Sequence, residues 1–127
     1  MERRFIIGIV LLVLVLGLCI GAALGMRAIH APAEAALSEA ARLALEDQMD
    51  AAIPLAMNAY ERWQTYRNIT AIFADHNPMD DTERLFREML VYAEMEETPH
   101  FAACCSQLSA MLKAIYEAHG FSLKNIL

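Results

Sequence analysis

From residue 5 to residue 26 the chain reads FIIGIVLLVLVLGLCIGAALGM, 22 positions without a charge. After residue 27 the pattern changes, and apolar residues recur every third or fourth position among charges. At ~1.5 Å per residue the first segment makes about 33 Å of helix, against a hydrocarbon core of ~30 Å. It is apolar on every face, so it cannot be the core stripe of a soluble helix. The pattern predicts a cytoplasmic N-terminus over residues 1–4, a transmembrane helix over 5–26 and a helical domain over 27–127.

The outer part reads as helices throughout. Residues 33–48 place Leu37, Ala41, Ala44 and Leu45 on one side, and a turn is expected at 47–52, with Asp50 or a neighbour as cap and Pro54 within the next turn. A second stripe follows in Ile53, Ala56, Tyr60, Trp63, Tyr66, Thr70 and Phe73. Asn77-Pro78 then offers a cap and a first-turn proline before Met79, Leu85, Phe86, Met89, Leu90 and Ala93. Thr98-Pro99 repeats that signal ahead of Phe101, Cys105, Leu108, Leu112 and Ile115, with Gly120 at a C′ position. Helices of this length with short connections specify antiparallel neighbours. The expected fold is all-α: an N-terminal transmembrane helix followed by a small antiparallel bundle of about four helices.

Charge orients and restricts this plan. Arg3 and Arg4 precede the span while Arg27 alone follows closely, which sets the bulk of the chain outside the cytoplasm. The stretch 28–127 holds seven cations against fifteen acids, a formal charge of −8. Such a surface repels phosphate backbones and anionic headgroups, so nucleic-acid binding and flat adsorption onto lipid are both disfavoured and a protein partner is expected. The N-terminal helix itself contacts membrane lipid. Gly17, Gly21 and Gly25 recur at four-residue spacing, a pattern that lets a second copy approach closely as a homodimer. The alternative to a retained anchor is a secreted module released by signal-peptide cleavage near Ala33, for which Ala31-Pro32-Ala33 offers a small-x-small site.

An alanine-rich helix, an acidic turn, a helix carrying Trp63, then Phe73-Ala74-Asp75-His76, an amphipathic helix pair and a terminal Leu123-Lys124-Asn125-Ile126-Leu127 follow the membrane segment in that order. In this the chain resembles the bacterial family catalogued as domain of unknown function 4363. Trp63, His76 and the terminal Asn-Ile-Leu carry the resemblance, and Asn77-Pro78 departs from it where an acidic residue is more typical. The resemblance implies a small membrane-anchored protein and brings no activity with it.

Residue chemistry adds little to suggest catalysis. Asp75, His76, Asp80 and Asp81 form the one compact group of metal-ligand types, and a single histidine with scattered carboxylates falls short of a zinc site. Cys104-Cys105 lacks the C-x-x-C spacing of metal or thiol-exchange sites. Cys105 is expected in the core and Cys104 near its edge, where an intermolecular bridge stays open. There is no glycine-rich phosphate loop and no nucleophile turn, so no catalytic, cofactor or metal residues are assigned and no enzyme is expected. The residues singled out are Trp63 and His76 for interaction, and Asn125, Ile126 and Leu127 as a tail, 121–127, that docks back along the bundle beside the Trp63 helix. The functional expectation is an interaction or structural module of a membrane complex.

Overall fold

The computed structural model describes the backbone of residues 2–126 and the side chains of residues 2–117. Four helices follow one another: α1 Glu2–Leu45, α2 Met49–Phe73, α3 His76–Glu94 and α4 Thr98–Ile126, with no strand among the described residues. The apolar segment and the first helix of the bundle are one uninterrupted rod. Its lower half is bare, with every large apolar side chain from Phe5 to Val15 exposed. Its upper half is core, where Met26, His30, Ala33, Leu37, Ala40, Ala41 and Ala44 are buried. One helix, α1, is thus long and apolar enough to cross a membrane.

Around the upper half of α1 the other helices form an antiparallel bundle. α1 lies between α2 and α4, α3 packs on α4, and α2 meets α3 only locally. The α4 stripe is as its periodicity predicts, with Phe101, Cys105, Leu108, Leu112 and Ile115 all buried. In α2 the face is rotated from the expected one. Ala52, Ala56 and Ala59 join Trp63 and Thr70 inside, while Ile53, Tyr60 and Tyr66 lie on the flank and Phe73 is exposed. The reason lies across the interface: α1 presents Ala33, Ala40, Ala41 and Ala44, and helices approach closely where both sides carry short side chains. Leu45, also expected inside, is 71% exposed at the end of α1.

The turns are built differently from the capping signals. Neither Gln48 before α2 nor Asp75 before α3 makes a side-chain cap bond, and Asn77 sits inside the first turn of α3 rather than at its cap. Both tight turns use a left-handed non-glycine residue instead, Asp47 at φ 59° and Glu96 at φ 54°. Gln48 N–H donates to the Leu43 carbonyl at 2.8 Å and Glu97 N–H to that of Tyr92 at 3.0 Å, six-to-one bonds that close each helix end. Gly120 ends nothing, because α4 continues to Ile126. The chain reversal expected at Gly120 is therefore absent. The side chains of Asn125, Ile126 and Leu127 lie outside the described residues, and so does their docking.

Candidate functional site

Polar groups inside an alanine and aromatic core need partners, and they collect at one level of this bundle. Pro32 starts the arrangement. A proline within a helix has no amide hydrogen for the carbonyl four residues back, here Ala28, and its ring crowds that turn. Arg62 of α2 supplies the missing donor, with Nη2 donating to the Ala28 carbonyl at 3.2 Å, and its Nε also donates to the neighbouring Ile29 carbonyl at 2.6 Å. The same guanidinium lies 5.1 Å from the centre of the Tyr66 ring. A groove of about 460 Å³ runs beside it, lined by Pro32, Ala36, Asn58, Thr65 and Tyr66 among others.

Two residues before Pro32 in α1, His30 is 1% exposed and its Nε2 stands 2.8 Å from the Thr70 hydroxyl. That hydroxyl also reaches the Tyr66 carbonyl at 2.8 Å. A carbonyl only accepts, so the single hydroxyl proton goes to Tyr66 and His30 must donate from Nε2. The neutral imidazole is therefore held in its Nε2–H tautomer. Burial, with Arg62 nearby as the smaller cause, lowers its pKa from 6.5 to about 4.

Trp63 packs between this histidine and α3, with ring centroids 5.8 Å from His30 and 6.0 Å from Phe86. Its indole N–H donates to Glu83 at 2.7 Å. The Glu83 carboxylate, mostly covered, also lies 3.7 Å from Arg87 and 3.9 Å from Arg67. Hydrogen bonds from His30 to Thr70 and from Trp63 to Glu83, joined by the packing of His30 on Trp63, thus link α1 through α2 to α3, where Tyr60 also packs on Phe86. On the opposite side of α1, Tyr116 donates to the Glu34 carboxylate and Ser109 to the Glu34 carbonyl at 3.2 Å, tying α4 to the turn that holds Pro32. The Glu34 bond pushes the Tyr116 hydroxyl up to about 12.

Of the residues singled out from sequence, Trp63 is at the centre of this cluster, fully buried, so it acts from within rather than as a surface contact. His76 stands apart from it, exposed on the first turn of α3. No group of three or more metal-ligand side chains converges among the described residues. Cys104 is buried beside Cys105 rather than lying at the rim, which removes it as an intermolecular bridge. Burial raises the pKa of both thiols, that of Cys105 to about 12. His30, Arg62 and Glu83 went unnoticed in sequence, and Thr70 was placed on the α2 stripe without a polar role. Pro32 was the available signal, since a proline within an alanine helix leaves a carbonyl that some neighbour must satisfy.

A family model described as domain of unknown function (DUF4363) matches residues 29–126, from the last turn before Pro32 to the end of α4. No curated protein matches the chain. No solved structure matches it either.

Proposed function

The chain belongs to the domain of unknown function 4363 family, and we propose that it is a single-pass membrane protein whose bundle is a non-catalytic structural or interaction module of a membrane complex. The observation that carries this reading is the single rod of α1, bare over its apolar half and core over the rest. A domain built on the upper half of its own anchor has no flexible joint to the membrane. Arg62, by bonding the carbonyls around Pro32, stiffens the one point where the rod would bend. The buried polar groups serve structure: His30, Thr70, Trp63, Glu83 and Arg62 are each consumed in a bond between helices. Arg3 and Arg4 put the short N-terminus in the cytoplasm and the bundle outside.

Retention of the anchor is favoured over release as a secreted module for a packing reason. Cleavage after Ala33 would take Met26, His30 and Ala33 out of the core, each at most 2% exposed. Gly17, Gly21 and Gly25 have open space where a side chain would stand, which suits a homodimer contact within the membrane. Intact mass of the cell-associated protein, together with reporter fusions at the C-terminus, tests the reading. A species retaining residues 1–33 and a reporter active only outside the cytoplasm are expected. A membrane-free species lacking residues 1–33 would overturn it.

A further inference from the structure

Near the end of α2, Ile69 is 46% exposed and Ile72 76%, beside Phe73 at 43%. Ile69 and Ile72 are three residues apart and so share a face of the helix. Their height is fixed by the bond between His30 and Thr70, which sets those two residues level across α1 and α2. Ile72 lies two residues beyond Thr70, about 3 Å further down, and Met26, the last residue of the apolar segment, lies four residues below His30, about 6 Å. Ile72 therefore stands about 3 Å, and Ile69 about 8 Å, above Met26, where α1 leaves the hydrocarbon. The bundle already reaches that depth, for Met26 is 1% exposed.

We propose that this corner between α2 and α3 rests in the headgroup layer of the bilayer that α1 crosses, with Ile69 and Ile72 as its lipid contacts. The proposal rests on α1 being a membrane anchor. The layer between the hydrocarbon and water is several ångströms deep on each side, which matches the offset from Met26. Tyr66, three residues before Ile69 and half-buried, follows upward on the same side with its ring against Arg62. Aromatic and then charged residues above aliphatic ones is the order found at membrane interfaces. The corner carries Arg67 against Asp75, Asp80 and Asp81, a formal 1 − 3 = −2, so the contact is made by its apolar side chains and is not a cationic patch on anionic lipid. Zwitterionic phospholipid suffices as its partner, and salt leaves the contact unchanged.

The test uses the full chain in phosphatidylcholine vesicles, with an environment-sensitive fluorophore on a cysteine placed at residue 72 in a Cys19→Ala background. The buried Cys104 and Cys105 stay unlabelled. Matching probes go to Leu14 in the span and Val91 near the far end of α3, both exposed. The expected pattern is loss of most emission at residue 72 to a nitroxide on the lipid headgroup, loss at residue 14 to a nitroxide deep in the acyl chain, and loss at residue 91 to neither. Quenching at 14 with none at 72 overturns the proposal and leaves the anchor standing, and points to a protein over those isoleucines. No quenching at 14 removes the anchor, and the proposal with it.

Discussion

Replacing Arg62 by methionine keeps an unbranched apolar stem and removes the guanidinium donors. Two hydrogen bonds from a charged group are lost, each worth ~1.5–3 kcal/mol when well desolvated. The guanidinium is only half-buried, so the low end applies and Arg62→Met should cost about 2–3 kcal/mol. If the reason is the carbonyl freed by Pro32, the cost depends on the proline. Pro32→Ala restores an amide hydrogen to the Ala28 carbonyl, and alone it should stabilise the bundle by about 1–2 kcal/mol, less than the ~3 kcal/mol of an uncompensated helix proline. In that background the bond from Nη2 is redundant, so Arg62→Met should cost about 1 kcal/mol less, a coupling within the range of contacting residues. The assay is denaturant unfolding of the full chain in mild detergent, followed by helical circular dichroism and by Trp63 emission. Trp63 is the sole tryptophan and 1% exposed, so it reports on this cluster. Equal costs of Arg62→Met with and without the proline would refute the compensation argument.

Acid should weaken the bundle through His30. Its folded pKa is lowered from 6.5 to about 4, so the unfolded chain takes up the proton first; this contribution, about 3 kcal/mol, is present above pH ~6.5 and is lost as pH falls toward ~4. His30→Gln should flatten that part of the stability profile, and an unchanged slope would count against a neutral buried imidazole. Trp63→Phe removes the bond to Glu83 and should cost about 1–3 kcal/mol, whereas Glu83→Gln, which keeps an acceptor oxygen, should cost much less. Similar losses for both would mean that the carboxylate serves Arg67 and Arg87 rather than the indole. Asp47→Gly and Glu96→Gly relieve left-handed backbone and should each stabilise by up to ~1 kcal/mol, read as a rise in the unfolding midpoint.

Much of the fold was legible because large apolar residues at helical spacing have few alternatives. The α4 stripe from Phe101 to Ile115 follows directly from its spacing, and so does the uncharged run before Arg27. Alanine hid the rest. In α2 the eye follows Ile53, Tyr60 and Tyr66, but the closest packing partner is a helix of alanines, and small side chains meeting small ones turned the face by part of a turn. Turn chemistry misled for a related reason, since asparagine and glycine mark left-handed positions by preference and here Asp47 and Glu96 occupy them under the pull of helix packing on both sides. The polar cluster was illegible because its members, at 30, 62, 63, 70 and 83, are brought together only by the antiparallel pairing. Pro32 alone announced a need for one of them.

The central claim is that anchor and domain share one unbroken helix. Spin labels at Val10 in the span and Ser38 in the bundle, both exposed, are separated by 28 residues of α1, about 42 Å of helix at ~1.5 Å per residue. Measured by pulsed electron spin resonance on the full chain in lipid nanodiscs, with Cys19 replaced by alanine, the account predicts one narrow distance distribution near that length. A broad distribution, or one centred well below it, would show a joint between membrane and bundle and contradict the account.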